Sequence, residues 1–162
     1  MLNITLAGDD ALQARLDAFP AALADGLAVK AQALSEALAD KVRNEKLSGE
    51  VLNARSGALI ASIGAEVSSD GDEVSASVGA YGDVKYAAIQ EYGGKTGAHE
   101  ILPDKAKVLA FLAGGAMRFA AKVEHPGSVI PERSYLRSSL AEMSAEILAA
   151  LAATPNETWE DA

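Results

Sequence analysis

Two histidines, His99 and His125, are the side chains best suited to chemistry in this chain, and each adjoins a carboxylate, Glu100 and Glu124. Imidazoles flanked by carboxylates can ligate a divalent metal or relay a proton. A hydrolytic zinc centre, however, needs three convergent protein ligands and an open position. No His-x-x-x-His spacing supplies that convergence, and both histidines lie among the glycines and prolines of loops. Only the fold could bring His99–Glu100 and His125–Glu124 together. The absence of cysteine excludes disulfides, thiolate metal sites and cysteine nucleophiles.

The remaining constellations carry less. Ser56-Gly57 lacks the Gly-x-Ser-x-Gly elbow of a serine hydrolase. Gly93, Gly94, Gly97, Gly114 and Gly115 match neither a Walker nor a Rossmann fingerprint. Glu50, Glu91 and Glu100 offer carboxylates for acid–base work, as any acidic chain does. The expectation is therefore a protein that is not an enzyme, with no catalytic residue, metal or cofactor. Arg133 and Arg137, four residues apart, are expected on one face of the final helix. They form a solvated face, ion pairs with Glu132 or Glu142, or a basic strip meeting an acidic neighbour in an assembly. Trp159, in an acidic terminus, is expected as an exposed anchor for a partner.

The elements that would position these residues follow from periodicity. Leu2, Ile4 and Leu6 alternate as a short strand, and Gly8-Asp9-Asp10 supplies a turn with a capping carboxylate. Leu12, Leu16 and Phe19 form one helical face. Pro20 is then expected in the first turn of a new helix whose stripe is Leu23, Leu27, Leu34, Leu38 and Val42. Gly26 inside that run marks a close helix contact. Ser56 is expected to cap a short helix presenting Leu59, Ile60 and Ile63.

Ala65–Ser68 and Glu73–Gly79 read as strands joined by Ser69-Asp70-Gly71-Asp72, whose Asp-Gly pair signals a hairpin. In Tyr86–Gly94 a short helical turn is expected to bury Tyr86, Ala87 and Ile89, to leave Gln90 and Glu91 in water, and to end at Gly93 with positive φ. Val108–Leu112 and Met117–Val123 suit a hairpin. Lys95–Glu100 and His125–Pro131 read as loops, the second unable to carry ladder bonds because of its two prolines. The last helix is expected to open at Pro131 or Glu132, with a stripe of Leu136, Leu140, Met143, Ile147 and Leu151. Thr154–Ala162 reads as a short, mobile acidic tail.

The 162 residues suit one domain, expected at 1–152 with the acidic tail at 153–162, and a fold of the α+β class. That fold is a small antiparallel or mixed β-sheet packed by a long N-terminal helix and a C-terminal helix. The apolar share is 49%, but much of it is alanine and only 5% is aromatic. So thin a core predicts that neighbouring subunits complete the burial. The net charge of −9, from 23 acidic and 14 basic residues, argues against sequence-independent nucleic-acid binding. No run approaches the roughly 18 apolar residues of a membrane span, and the N-terminus lacks the pattern of a signal peptide.

Three stretches in order carry a family resemblance. They are Arg55-Ser56-Gly57-x-Leu59-x-x-Ser62-Ile63, then Tyr86-Ala87-x-Ile89-x-Glu91-Tyr92-Gly93 after Val78-Gly79, and last Ile130-Pro131-x-Arg133-Ser134-Tyr135-Leu136 with Leu140. Over roughly residues 1–152 the chain resembles the tail-completion and tail-terminator family of long-tailed bacteriophages and prophages. In that family the last stretch usually reads Pro-x-Arg-Pro-Phe-Leu, so Ser134-Tyr135 keeps the aromatic and loses a rigid turn.

The resemblance implies a structural virion protein of the tail or neck, assembled in the bacterial cytoplasm. Such proteins form rings, often hexameric, that end the tail tube at its head-proximal side. The implied partners are other copies of the chain, the tail-tube protein and the head–tail connector, with no membrane and with DNA passing through the ring. The candidate contact residues for a subunit or partner are Glu91, Tyr92, Gly93, Arg133, Tyr135 and Arg137. The alternatives are a head-side stopper or adaptor, or a small accessory hydrolase using His99, His125 and nearby carboxylates.

Overall fold

The computed structural model describes residues 8–53, 55–71, 73–104 and 106–161. The strand expected at Met1–Leu6 lies outside them. The fold is α+β. Helix α1 runs Asp9–Lys41 and passes directly into a π-helical turn, Val42–Lys46. A short helix, α2 (Ala58–Ser62), leads into an antiparallel ladder of β1 (Ile63–Asp70) and β2 (Glu73–Ala80). After α3 (Ala87–Tyr92) come β3 (Gly94–Lys95), β4 (His99–Ile101), β5 (Leu109–Ala113), β6 (Ala116–Ala120), β7 (Val123–His125) and β8 (Val129–Ile130). Helix α4, Leu136–Asp161, closes the order. Among the described residues no helix is long and apolar enough to cross a membrane.

The strands make four two-stranded antiparallel ladders: β1–β2, β3–β8, β4–β7 and β5–β6. The chain divides into two compact units, Met1–Ala87 with Ser134–Ala162, and Ala88–Arg133. In the first unit α1 packs against β1, β2 and α4. Its core is Ala39, Val42, Leu47, Ile63 and Tyr135, with Leu52, Leu59, Ile60, Val78 and Leu136 around it. The expected stripe of the long helix therefore delivers Leu38 and Val42 to the core.

Pro20 does not start a second helix; it lies inside α1. Its missing N–H deletes one helical bond, but α4 holds the helix on both sides of that gap. On the N-terminal side Phe19 meets Trp159 edge to face at 5.4 Å, and the Arg15 guanidinium lies 4.6 Å from the indole centroid. Arg15 also donates to the Trp159 carbonyl at 2.6 Å, where a cation complements the last turn of a helix. On the C-terminal side Lys30 pairs with Glu157 at 3.0 Å. Gly26 is the close contact its position predicts, since a Cβ there would lie 3.1 Å from the Thr158 hydroxyl.

The same contacts correct the reading of the C-terminus. Thr154–Asp161 is the last part of α4 rather than a mobile tail, and Trp159 is half-buried rather than an exposed anchor. Helix α4 begins at Leu136, not at Pro131, because the preceding segment is taken up elsewhere: Ile130 pairs with Gly94, and the Arg133 N–H donates to the Gln90 carbonyl. Leu140 is exposed on α4. Ser139 takes the buried position, its hydroxyl donating to the Tyr135 carbonyl at 2.7 Å.

Candidate functional site

Parts of the Tyr86–Gly94 and Ile130–Leu136 stretches meet inside each unit, Gln90–Gly94 with Ile130–Arg133 in one and Ala87 with Tyr135 in the other. Within Ala88–Arg133, the ladder pairs Gly94 with Ile130 and Lys95 with Val129. Pro126 and Pro131 flank that pairing, so Val129 and Ile130 carry ladder bonds after all. Arg133 donates its N–H to the Gln90 carbonyl at 2.9 Å, and its guanidinium reaches Gln90 Oε1 at 3.4 Å. Gly93 has φ +69°, and a Cβ on it would meet the Glu132 backbone nitrogen at 2.7 Å. Glycine is therefore required there twice, by conformation and by space. Within the other unit, the Tyr135 hydroxyl donates to the Ala87 carbonyl at 3.2 Å.

Burial around α3 departs from the expectation at Tyr86 and Glu91, while Ala87 is buried and Ile89 half-buried, as expected. Helix α3 starts at Ala87, so Tyr86 precedes it. Tyr86 is exposed, whereas Glu91 is only 2% exposed. Glu91 is therefore not an exposed contact residue. Tyr135, at 1% exposure, is a core residue with its hydroxyl satisfied. Gly93 is half-buried against the Glu132 backbone. Tyr92 is 63% exposed. Arg133 precedes α4 and Arg137 lies within it, so the two do not share a helical face; both are exposed.

The two histidines do converge. His99 pairs with His125 across β4–β7, and their rings stack with centroids 5.0 Å apart. Each is tied to backbone: His99 Nδ1 lies 3.2 Å from the Gly97 carbonyl, and His125 Nδ1 accepts the Gly127 N–H at 3.1 Å. Glu100 and Glu124 form the next pair along the ladder, with Lys122 reaching Glu100 at 2.6 Å and Glu124 at 3.5 Å. Successive residues point to opposite faces of a ladder, so these carboxylates turn away from the imidazoles. Among the described residues no three His, Asp or Glu side chains are grouped to hold a metal.

The strongest electrostatic feature is a lysine–glutamate cluster where α1 ends. Lys46 is 2% exposed, with its ammonium 2.6 Å from both Glu50 and Glu142. Lys41 reaches Glu45 at 2.6 Å and Glu142 at 3.0 Å. Hydrogen bonds from Lys46 and Lys41 hold the Glu142 carboxyl below its ordinary range. Those from Glu142 and Glu50 raise Lys46, and those from Glu45 and Glu142 raise Lys41. The cluster joins the π-helical turn to α4 and serves the scaffold.

Sequence reasoning missed the apolar surface of the β5–β6 hairpin. Leu112 and Phe119 are 72% and 68% exposed, and Met117 is exposed beside them. The signal was present: Val108–Leu112 is apolar at every position, without the polar alternation of a strand wetted on one face.

No family model, curated protein or solved structure matches the chain.

Proposed function

We propose that the chain is a structural subunit of the head-proximal end of a phage or phage-like tail, acting by ring assembly to end the tube and join it to the head connector. What supports the reading is that two of the three stretches carrying the family resemblance meet. Gln90, Gly93 and Gly94 engage Ile130, Glu132 and Arg133 within one unit, while Ala87 and Tyr135 engage in the other. In each unit the contact joins segments some forty residues apart in the chain. The third stretch supplies Leu59 and Ile63 to the core around Tyr135.

Such a role needs a rigid scaffold and adaptable surfaces. The first unit supplies the scaffold, and the exposed hairpin and Tyr92 supply surface. A net charge of −9 also suits a ring through which DNA passes without adhering. Co-purification with the tail-tube protein and with the connector protein tests the reading. Capture of the tube protein identifies a terminator, and capture of the connector alone identifies a head-side stopper. Capture of neither rules the reading out.

A further inference from the structure

Two short links in the second unit are held together by side chains, and one of those side chains is an imidazole. Pro126, Gly127 and Ser128 lead from β7 to β8, and Thr96 and Gly97 begin the passage from β3 to β4. Proline brings no N–H, so the first link has two backbone donors to satisfy. The Ser128 N–H donates to the Thr96 hydroxyl at 2.7 Å, and the Thr96 N–H returns a bond to the Ser128 carbonyl at 2.9 Å. The Gly127 N–H donates to His125 Nδ1 at 3.1 Å. Gly127 has φ +87°, and a Cβ there would run into the Thr96 carbonyl, so the two links lie directly on one another.

The Gly127 bond fixes the state of the His125 ring. Nδ1 must meet the incoming N–H with a lone pair, which the neutral ring offers when its proton is on Nε2. The imidazolium carries a proton on both nitrogens and cannot accept there. His99 differs: its Nδ1, 3.2 Å from the Gly97 carbonyl, can donate to that oxygen in either charge state. The rings stack with centroids 5.0 Å apart, so two charged rings would repel. Strands β4 and β7 pack chiefly on each other. Their shared imidazole face continues with Ile101 opposite Val123, while Glu100 and Glu124, with Lys122, occupy the other face. The charged residue at the end of β3 is Lys95, of the same sign as an imidazolium. Among the described residues neither histidine has a carboxylate as an ion-pair partner.

We infer that the His99–His125 pair is a pH-sensitive latch, which holds the two links together while His125 is neutral and releases them when it takes a proton. Protonation sets an Nδ1–H against the Gly127 N–H, donor facing donor, and Pro126 offers no substitute bond. The ladders that depend on the links are short, two residues in β3–β8 and three in β4–β7, and two-stranded ladders are marginal alone. Opening therefore passes from Gly127 through the Thr96–Ser128 bonds to the β3–β8 pairing. The β5–β6 hairpin and the first unit are left as they are. The latch is independent of the tail reading.

Hydrogen exchange on the full chain tests it, with each amide referred to its unfolded rate at the same pH. Imidazole is the side chain that ordinarily changes charge between about pH 5 and pH 8, which sets the range. From the top of that range to the bottom, protection at Gly127, Thr96 and Ser128 should fall about tenfold, the loss of roughly one hydrogen bond. Protection in β5–β6 and α1 should hold. His125→Asn supplies an oxygen that can accept the N–H two residues on and does not titrate, so protection should persist and be flat with pH. His125→Ala should give the low protection throughout, and His99→Phe, which keeps a ring in the stack, should weaken the pH response. Unchanged α1 protection would show that each variant folds.

Wild-type protection at Gly127 that stays constant across the range overturns the latch. So does a pH response in His125→Asn equal to that of the wild type.

Discussion

In the unit formed by Met1–Ala87 and Ser134–Ala162, Val42, Leu47, Ile63 and Tyr135 are almost wholly removed from water. In Ala88–Arg133, Glu91 is the one buried residue among those described. The first unit has an apolar centre packed by a 33-residue helix and a long hairpin. The second is three short ladders held by backbone pairing and a few side-chain bonds. Two-stranded ladders are marginal alone in water, so the second unit gains most from a partner. The contrast separates a part that carries stability from a part that presents surface.

The contrast fails if truncations in the two units cost the same. Tyr135→Ala removes a buried ring and its bond to Ala87, and should cost about 3–5 kcal/mol in urea unfolding. Phe119→Ala, on the open hairpin face, should stay within about 0.5 kcal/mol. Gly93→Ala should cost about 1–3 kcal/mol, from its positive φ and the close Glu132 backbone. Hydrogen exchange would place that loss in residues 88–133, with α1 protection unchanged.

A pH series sharpens the comparison from the side of the scaffold. The Glu142 carboxyl titrates lower in the folded chain than in the unfolded one. Its contribution is therefore complete above the unfolded value, about pH 4.3, and is lost as pH falls through the folded value. Thermal midpoints of the wild type should fall on acidification through that range, and Glu142→Gln should show a flatter profile. The raised lysines act in the opposite sense, with contributions lost only in strong alkali. The smallest effect belongs to Gln90→Ala. It breaks an exposed 3.4 Å contact with Arg133 and should change stability by less than about 0.5 kcal/mol.

Much of the scaffold was legible in the sequence. The helical stripe ending at Val42, the β1–β2 hairpin signalled by Asp70-Gly71, the contact at Gly26 and the positive φ of Gly93 all follow from spacing or local conformation. What failed depended on distant partners. Pro20 sits within a helix because Trp159, 139 positions on, packs on its N-terminal half. Helix α4 starts late because Arg133 bonds to Gln90. The Tyr86–Gly94 and Ile130–Leu136 stretches were visible as motifs, but the burial of Glu91 was not, because the phase of a six-residue helix is set by what it packs on. The stacking of His99 on His125 needed the β4–β7 register, which two prolines nearby concealed.

Electron microscopy of particles assembled without this protein tests the functional account most directly. The account predicts tails of irregular or excessive length that fail to join heads. Tails of normal length joined to heads would contradict it.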